Sequence, residues 1–121
     1  MNYLFLDDDE QRQTTFKAYF DKNCLKDDKL VQTRTAKETI EALQNETFVM
    51  ISLDHDLGGE IFVTKTEETG YEVALYIETM PEEKLPKTIV IHSYNPQGAE
   101  RMYNAMKSRN IYLYKVPFNI Q

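Results

Sequence analysis

The chain has 121 residues, a length suited to one domain with a substantial core. Its net charge of −6 and isoelectric point near 4.9 argue against binding duplex nucleic acid, which calls for a basic face. A lone cysteine, Cys24, excludes an internal disulfide and suits a reducing, cytoplasmic setting; no apolar run reaches the roughly 20 residues of a membrane span, and no secretory leader is expected.

In chain order, Asn2 to Leu6 reads as a first strand that runs straight into Asp7-Asp8-Asp9. A helix follows to about Asn23, with Asp9 as its N-cap and Phe16, Tyr19 and Phe20 as its buried stripe. Leu30 to Arg34 is a short second strand. Thr35 caps the next helix, with Glu38 completing a capping box and Ile40 and Leu43 facing the core. Phe48 to Leu53 is a third strand, cut off by Asp54-His55-Asp56 and then Gly58-Gly59. An extended loop or flap at about 57–69 follows, with Ile61 to Thr66 alternating enough for a small hairpin. Thr69-Gly70 opens a helix over Tyr71 to Met80, striped by Val73, Tyr76 and Ile77. Lys87 to Ile91 is a fourth strand ending at His92-Ser93. Asn95-Pro96 opens a helix with Met102 and Met106 as core filler. Ile111 to Tyr114 is a fifth strand, running into Lys115.

Strands alternating with helices at short spacing predict an α/β fold: a single three-layer, doubly wound sandwich whose five-stranded parallel sheet has the order 2-1-3-4-5. In that order the ends of strands 1, 3 and 4 are neighbours, and ligands of such sheets bind beyond the carboxyl ends of the strands. Of the chain's eight aspartates, five lie at two of these strand ends, and both histidines, His55 and His92, lie at strand ends too.

Several of these residues resemble a receiver domain, the fold of two-component response regulators. Asp7-Asp8 is similar to the acidic pair after strand 1, Asp54 to the phospho-accepting aspartate, Thr69-Gly70 to the small pair opening helix 3, Ser93 to the Ser/Thr after strand 4, and Lys115-Val116-Pro117-Phe118 to Lys-Pro-Phe with one residue inserted. The long stretch from Asp54 to Gly70, His55, Asp56 and the segment from His92 to Gly98 depart from that pattern. Together, Ser52-Leu53-Asp54-His55-Asp56-Leu57-Gly58 and His92-Ser93 with Asn95-Pro96 and Gly98 resemble a divergent branch, the cyclic-phosphate processing receiver-like domain of bacterial and phage genomes. The resemblance implies action on a cyclic or nucleotide-like phosphate.

The residue types suit that chemistry. Asp7 and Asp8 with Asp54 offer oxygen ligands for Mg²⁺ or Mn²⁺. His55 and His92 can move a proton near neutral pH, and Asp56 is expected on the same face as Asp54. Lys115 would neutralise phosphate charge, and Ser93 and Asn95 before the helix start form a candidate phosphate cradle. Three readings compete: a metal-dependent phosphoesterase for a cyclic nucleotide or other small phosphorylated ligand, a phospho-accepting signalling domain with Asp54 as acceptor, and a non-catalytic module that binds a nucleotide or a partner. The sequence leaves the oligomeric state open.

Overall fold

Five short apolar segments pair side by side into one parallel sheet. They are β1 (Asn2–Leu6), β2 (Lys29–Thr33), β3 (Met50–Leu53), β4 (Thr88–Ile91) and β5 (Tyr112–Lys115), in the order β2-β1-β3-β4-β5. This computed structural model describes residues 1–24, 26–57 and 69–119; Gly58-Gly59, the expected hairpin at 61–66 and most of the extended loop lie outside the described residues. The register sets Leu6 beside Leu53 and Leu53 beside Ile91. The residues that follow each strand therefore emerge at one level: Asp54 donates its backbone N–H to the Leu6 carbonyl, and His92 donates to that of Leu53.

Four helices connect the strands: α1 (Glu10–Asn23), α2 (Ala36–Asn45), α3 (Gly70–Glu78) and α4 (Pro96–Met106). Each begins at a side-chain cap, which satisfies backbone N–H groups that the first turn leaves without partners. The caps are Asp9, Thr35, Thr69 and Asn95. The return bond of the expected capping box lands one residue early: Glu38 accepts from the Arg34 N–H at 2.7 Å, not from that of Thr35. Among the described residues no helix is long and apolar enough to cross a membrane.

Side chains alternate across a strand, so each strand feeds both faces of the sheet. Leu4, Leu6, Ile51, Leu53, Ile89 and Ile91 pack with Leu43 of α2, Val73 and Ile77 of α3 and Met102 and Met106 of α4 into the main core. The other face is covered by α1 alone among the helices. There Phe5 stacks on Phe16 at 4.2 Å and Tyr3 meets Phe20 edge-on at 5.3 Å. Beside α1 this face opens into a cavity of about 530 Å³ lined by Phe5, Phe16, Ser52, His92, Val116 and Phe118.

Three expectations need adjusting. Tyr19 is exposed, because α1 touches the sheet along a stripe too narrow for a third ring. Phe48 precedes β3 yet is buried, so its side chain packs without joining the ladder. Lys115 is the last residue of β5, not the first beyond it, and this one-residue difference decides which face its side chain takes.

Candidate functional site

Asp7, Asp54 and His92 follow β1, β3 and β4, and each presents an atom that lies within 4.8 Å of the others. All three are buried, and they share the face on which α1 lies. Asp7 has no water contact and depends on protein partners. Arg12, from the first turn of α1, donates through Nε to Asp7 Oδ2 at 2.7 Å and through Nη2 to Oδ1 at 2.9 Å. The Asp9 N–H adds a bond at 2.9 Å. Burial pushes the Asp7 carboxyl up, but the bonds from His92, Arg12 and the Asp9 N–H outweigh it and hold the group below the usual carboxylate range.

His92 contacts Asp7 Oδ2 through Nε2 at 3.0 Å and Ser52 Oγ through Nδ1 at 2.7 Å. An ionised carboxylate only accepts, so Nε2 carries the proton and Nδ1 accepts from the Ser52 hydroxyl. The ring is stacked on Phe5 at 4.7 Å. Burial drives its pKa down, against the pull of Asp7, so the neutral ring is favoured.

Asp54 is less well served. Its Oδ1 accepts the His55 N–H at 2.9 Å, while Oδ2 is buried without a hydrogen-bond partner. Arg12 Nη2 stands 3.6 Å from Oδ2. Burial first, and then the negative charge of Asp7, raise the Asp54 carboxyl to about 8, so at neutral pH it is largely protonated.

The remaining expected residues gather on the α4 side. His55 Nδ1 bonds Asp56 Oδ1 at 2.8 Å, and Asn95 Nδ2 donates to the same oxygen at 3.2 Å. In the neutral ring this leaves His55 Nε2 with a lone pair, buried and without a partner. The His55 ring lies against Gly98, where a Cβ would come within 2.4 Å of it. Asn95 Oδ1 caps α4 by accepting the Gly98 N–H at 3.0 Å, and Ser93 Oγ accepts the Asn95 N–H at 3.0 Å. The cradle groups thus hold the start of α4. Lys115 donates to Glu100 of α4 and lies over the Tyr103 ring at 4.8 Å. It shares a cavity of about 340 Å³ with Ser93, Tyr94 and Glu100.

The sheet therefore divides the residues named from the sequence. Asp7, Asp54 and His92 form one group, with His92 in the place expected for Asp8, which is half-exposed and outside the cluster. His55, Asp56, Asn95, Ser93 and Lys115 lie on the side of α4. Asp56 does not share a face with Asp54, because β3 ends at Leu53 and the two-residue alternation stops there. Lys115 turns to Glu100 because one extra residue, Val116, separates it from Pro117. Arg12 was not among the expected residues. Its signal was its position: five residues after Asp7, in the first turn of the helix that leaves β1.

A family model described as the cyclic-phosphate processing receiver domain matches residues 2–108. No curated protein matches the chain. Among solved structures, a CheY-like receiver domain from Methylobacillus flagellatus is 15% identical, with a TM-score of 0.68 over 99% of this chain and 89% of its own. The Mn²⁺-bound form of response regulator Rcp1 is 18% identical, with a TM-score of 0.65 over 95% of this chain and 79% of its own. Response regulator TrrA from Thermotoga maritima, in complex with Mg²⁺-BeF, is 14% identical, with a TM-score of 0.65 over 97% of this chain and 86% of its own. At these identities the likeness to the solved structures concerns the fold.

Proposed function

Because the chain belongs to the cyclic-phosphate processing receiver family, we propose that it hydrolyses a small cyclic phosphate or nucleotide-like phosphoester at the carboxyl edge of its sheet, with a divalent ion held by Asp7 and Asp54. The observation that carries this reading is a pair of buried, unpartnered polar atoms on consecutive residues, Asp54 Oδ2 and His55 Nε2. Buried polar atoms are costly to leave unpaired, and a ligand is a common reason for keeping them. The donor set at Asp7 and Asp54 is two carboxylates, which fits Mg²⁺ or Mn²⁺. The Mn²⁺ of Rcp1 and the Mg²⁺ of TrrA lie on the same fold and support that choice. A bound ion of this kind supplies positive charge to the phosphoryl oxygens.

The chain's own residues do the rest. His55 is oriented by Asp56, and its free Nε2 is the better of the two histidines for taking a proton from water. Water adds to phosphorus, one ring P–O ester bond breaks, and the released alkoxide takes a proton to give a monoester. Both ring nitrogens of His92 are engaged, so it orients Asp7. Ser93 and Asn95 fix the start of α4 and, through Asn95, the Asp56 carboxylate. The cavity of about 530 Å³ beside α1, which reaches His92, is large enough for the organic part of a nucleotide.

The test is hydrolysis of a panel of cyclic nucleotides with Mn²⁺ or Mg²⁺. The parent should open at least one ring, and His55→Ala should lower turnover by about 10²–10⁴-fold while sparing metal affinity. Tight binding without ring opening would leave a nucleotide-binding module in place of an enzyme.

The position of Asp54, at the end of β3 with Oδ2 unengaged, favours a second reading as a phospho-accepting signalling domain. Against it stands a carboxyl that is mostly protonated at neutral pH and therefore a poor nucleophile. Intact mass after incubation with acetyl phosphate decides: a stoichiometric adduct that Asp54→Asn abolishes establishes signalling.

A further inference from the structure

We propose that Arg12 is an internal cation that competes with the divalent ion for Asp7 and Asp54 and, once displaced, binds the phosphate of the ligand. The inference rests on the metal and phosphate reading above and assigns a residue that neither the sequence motifs nor the family resemblance points to. Its basis is the placement of one guanidinium. Nε and Nη2 engage both oxygens of Asp7, at 2.7 and 2.9 Å. The same Nη2 stands 3.6 Å from Asp54 Oδ2, and Nη1 stands 3.3 Å from Asp9 Oδ2. A metal ion joining Asp7 to Asp54 needs the oxygens that Arg12 now holds.

Arginine does not give up its charge in proteins, so it cannot step aside by losing a proton and has to move as a cation. It has the means to do so. Its side chain is partly exposed and long, and it rises from the first helical turn of α1. Two contacts remain near the mouth of the site. Asp9 is an exposed partner three residues away, a kind of pair that holds weakly, and the Tyr94 ring lies 6.0 Å from the guanidinium carbon. A planar fork freed from a carboxylate is matched in shape and charge by a phosphate.

The surrounding charge gives the move a purpose. A phosphate arriving at this edge meets Asp7, Asp8, Asp9 and Asp54, whose field repels it. Lys115, the cation expected there, is engaged with Glu100 on the side of α4. Arg12 is the cation in contact with these carboxylates, so metal binding that releases it creates an anion site where there was none. Metal and phosphate then assist each other through one side chain, and such linkage is reciprocal.

The experiment is calorimetric titration of Mn²⁺ into the parent, Arg12→Gln and Arg12→Lys, each with and without inorganic phosphate, with thermal melts to check folding. Arg12→Gln should bind Mn²⁺ about tenfold tighter than the parent, with Arg12→Lys in between, and the gain in Mn²⁺ affinity that phosphate confers should shrink about tenfold in Arg12→Gln. If Arg12→Gln is unfolded without metal, Arg12→Lys carries the comparison, since it keeps the charge and loses the fork. Mn²⁺ binding by Arg12→Gln but not by the parent supports the inference. Equal Mn²⁺ affinity in the three proteins, or a phosphate gain that neither variant changes, overturns it and leaves the metal reading standing. Failure of all three to bind Mn²⁺ overturns both.

Discussion

Asp54 gives this chain a pH dependence that runs against the common carboxylate pattern. Its carboxyl is raised from an ordinary 3.8 to about 8, so between those values the unfolded chain has released a proton that the folded chain still holds. A native state that binds more protons loses stability as pH rises. The contribution is complete below the ordinary carboxylate range and gone above about 8, at a slope of up to about 1.4 kcal/mol per pH unit. Asp7, held low, works in the opposite sense and is lost only in acid. His92, also lowered, costs stability as pH falls below its ordinary value of 6.5. Asp54→Asn removes the first effect alone. Melting curves from pH 5 to 8 should show the parent losing stability relative to Asp54→Asn as pH rises, and saturating Mn²⁺ should reduce the difference. A constant difference across that range contradicts the assignment. At this scale the sequence was informative about which strand ends carry acid and imidazole, because apolar runs mark where strands stop. It was silent on facing: Asp56 and Lys115 depend on where a two-residue alternation ends, and Arg12 depends on how the first turn of α1 folds back over β1.

Two helix starts press directly on the end of β3, and each does so through a glycine. At Gly70, the first residue of α3, a Cβ would lie 1.9 Å from the Asp54 carbonyl oxygen. The Gly70 N–H also donates to the His55 carbonyl at 2.9 Å, so helix and strand end cannot separate without losing a bond. Gly70→Ala should therefore destabilise the protein by about 2 kcal/mol or more, read from denaturant melts, because the obstacle is backbone and not a side chain that can rotate. At Gly98, in the first turn of α4, the obstacle is the His55 ring. Gly98→Ala should displace that ring and break its contact with Asp56. The checks are a shift of the His55 ring signals in NMR spectra and a loss of turnover comparable to that of His55→Ala. Thr69-Gly70 and Asn95-Pro96 were legible as helix starts from capping chemistry alone, and their caps form as expected. That their glycines serve close approach to β3 required the packed structure.

Across the whole molecule the sheet order was readable because five apolar segments alternate with helix-forming stretches, and short right-handed connections leave little choice of topology. Less readable was the imbalance between the two faces. One is sealed by three helices and an aliphatic core; on the other, α1 is the sole covering helix. The buried residues of α1 are Gln13 and Phe20. Gln13 Nε2 donates to the carbonyls of Asp7 and Thr33, each at 2.8 Å, and its own carbonyl and side-chain oxygen accept from Gln32. The helix is moored to β1 and β2 by amide groups more than by oil. Detaching it exposes little apolar surface, and sensitivity to urea scales with the surface exposed. Native-state hydrogen exchange should therefore find the amides of α1 opening with a weak dependence on urea, while those of β3 and β4 exchange with the full dependence of global unfolding. Since Arg12 leaves with α1, each such opening also uncovers Asp7, and the rate at which a cation reaches that carboxylate becomes a property of how often one helix lets go.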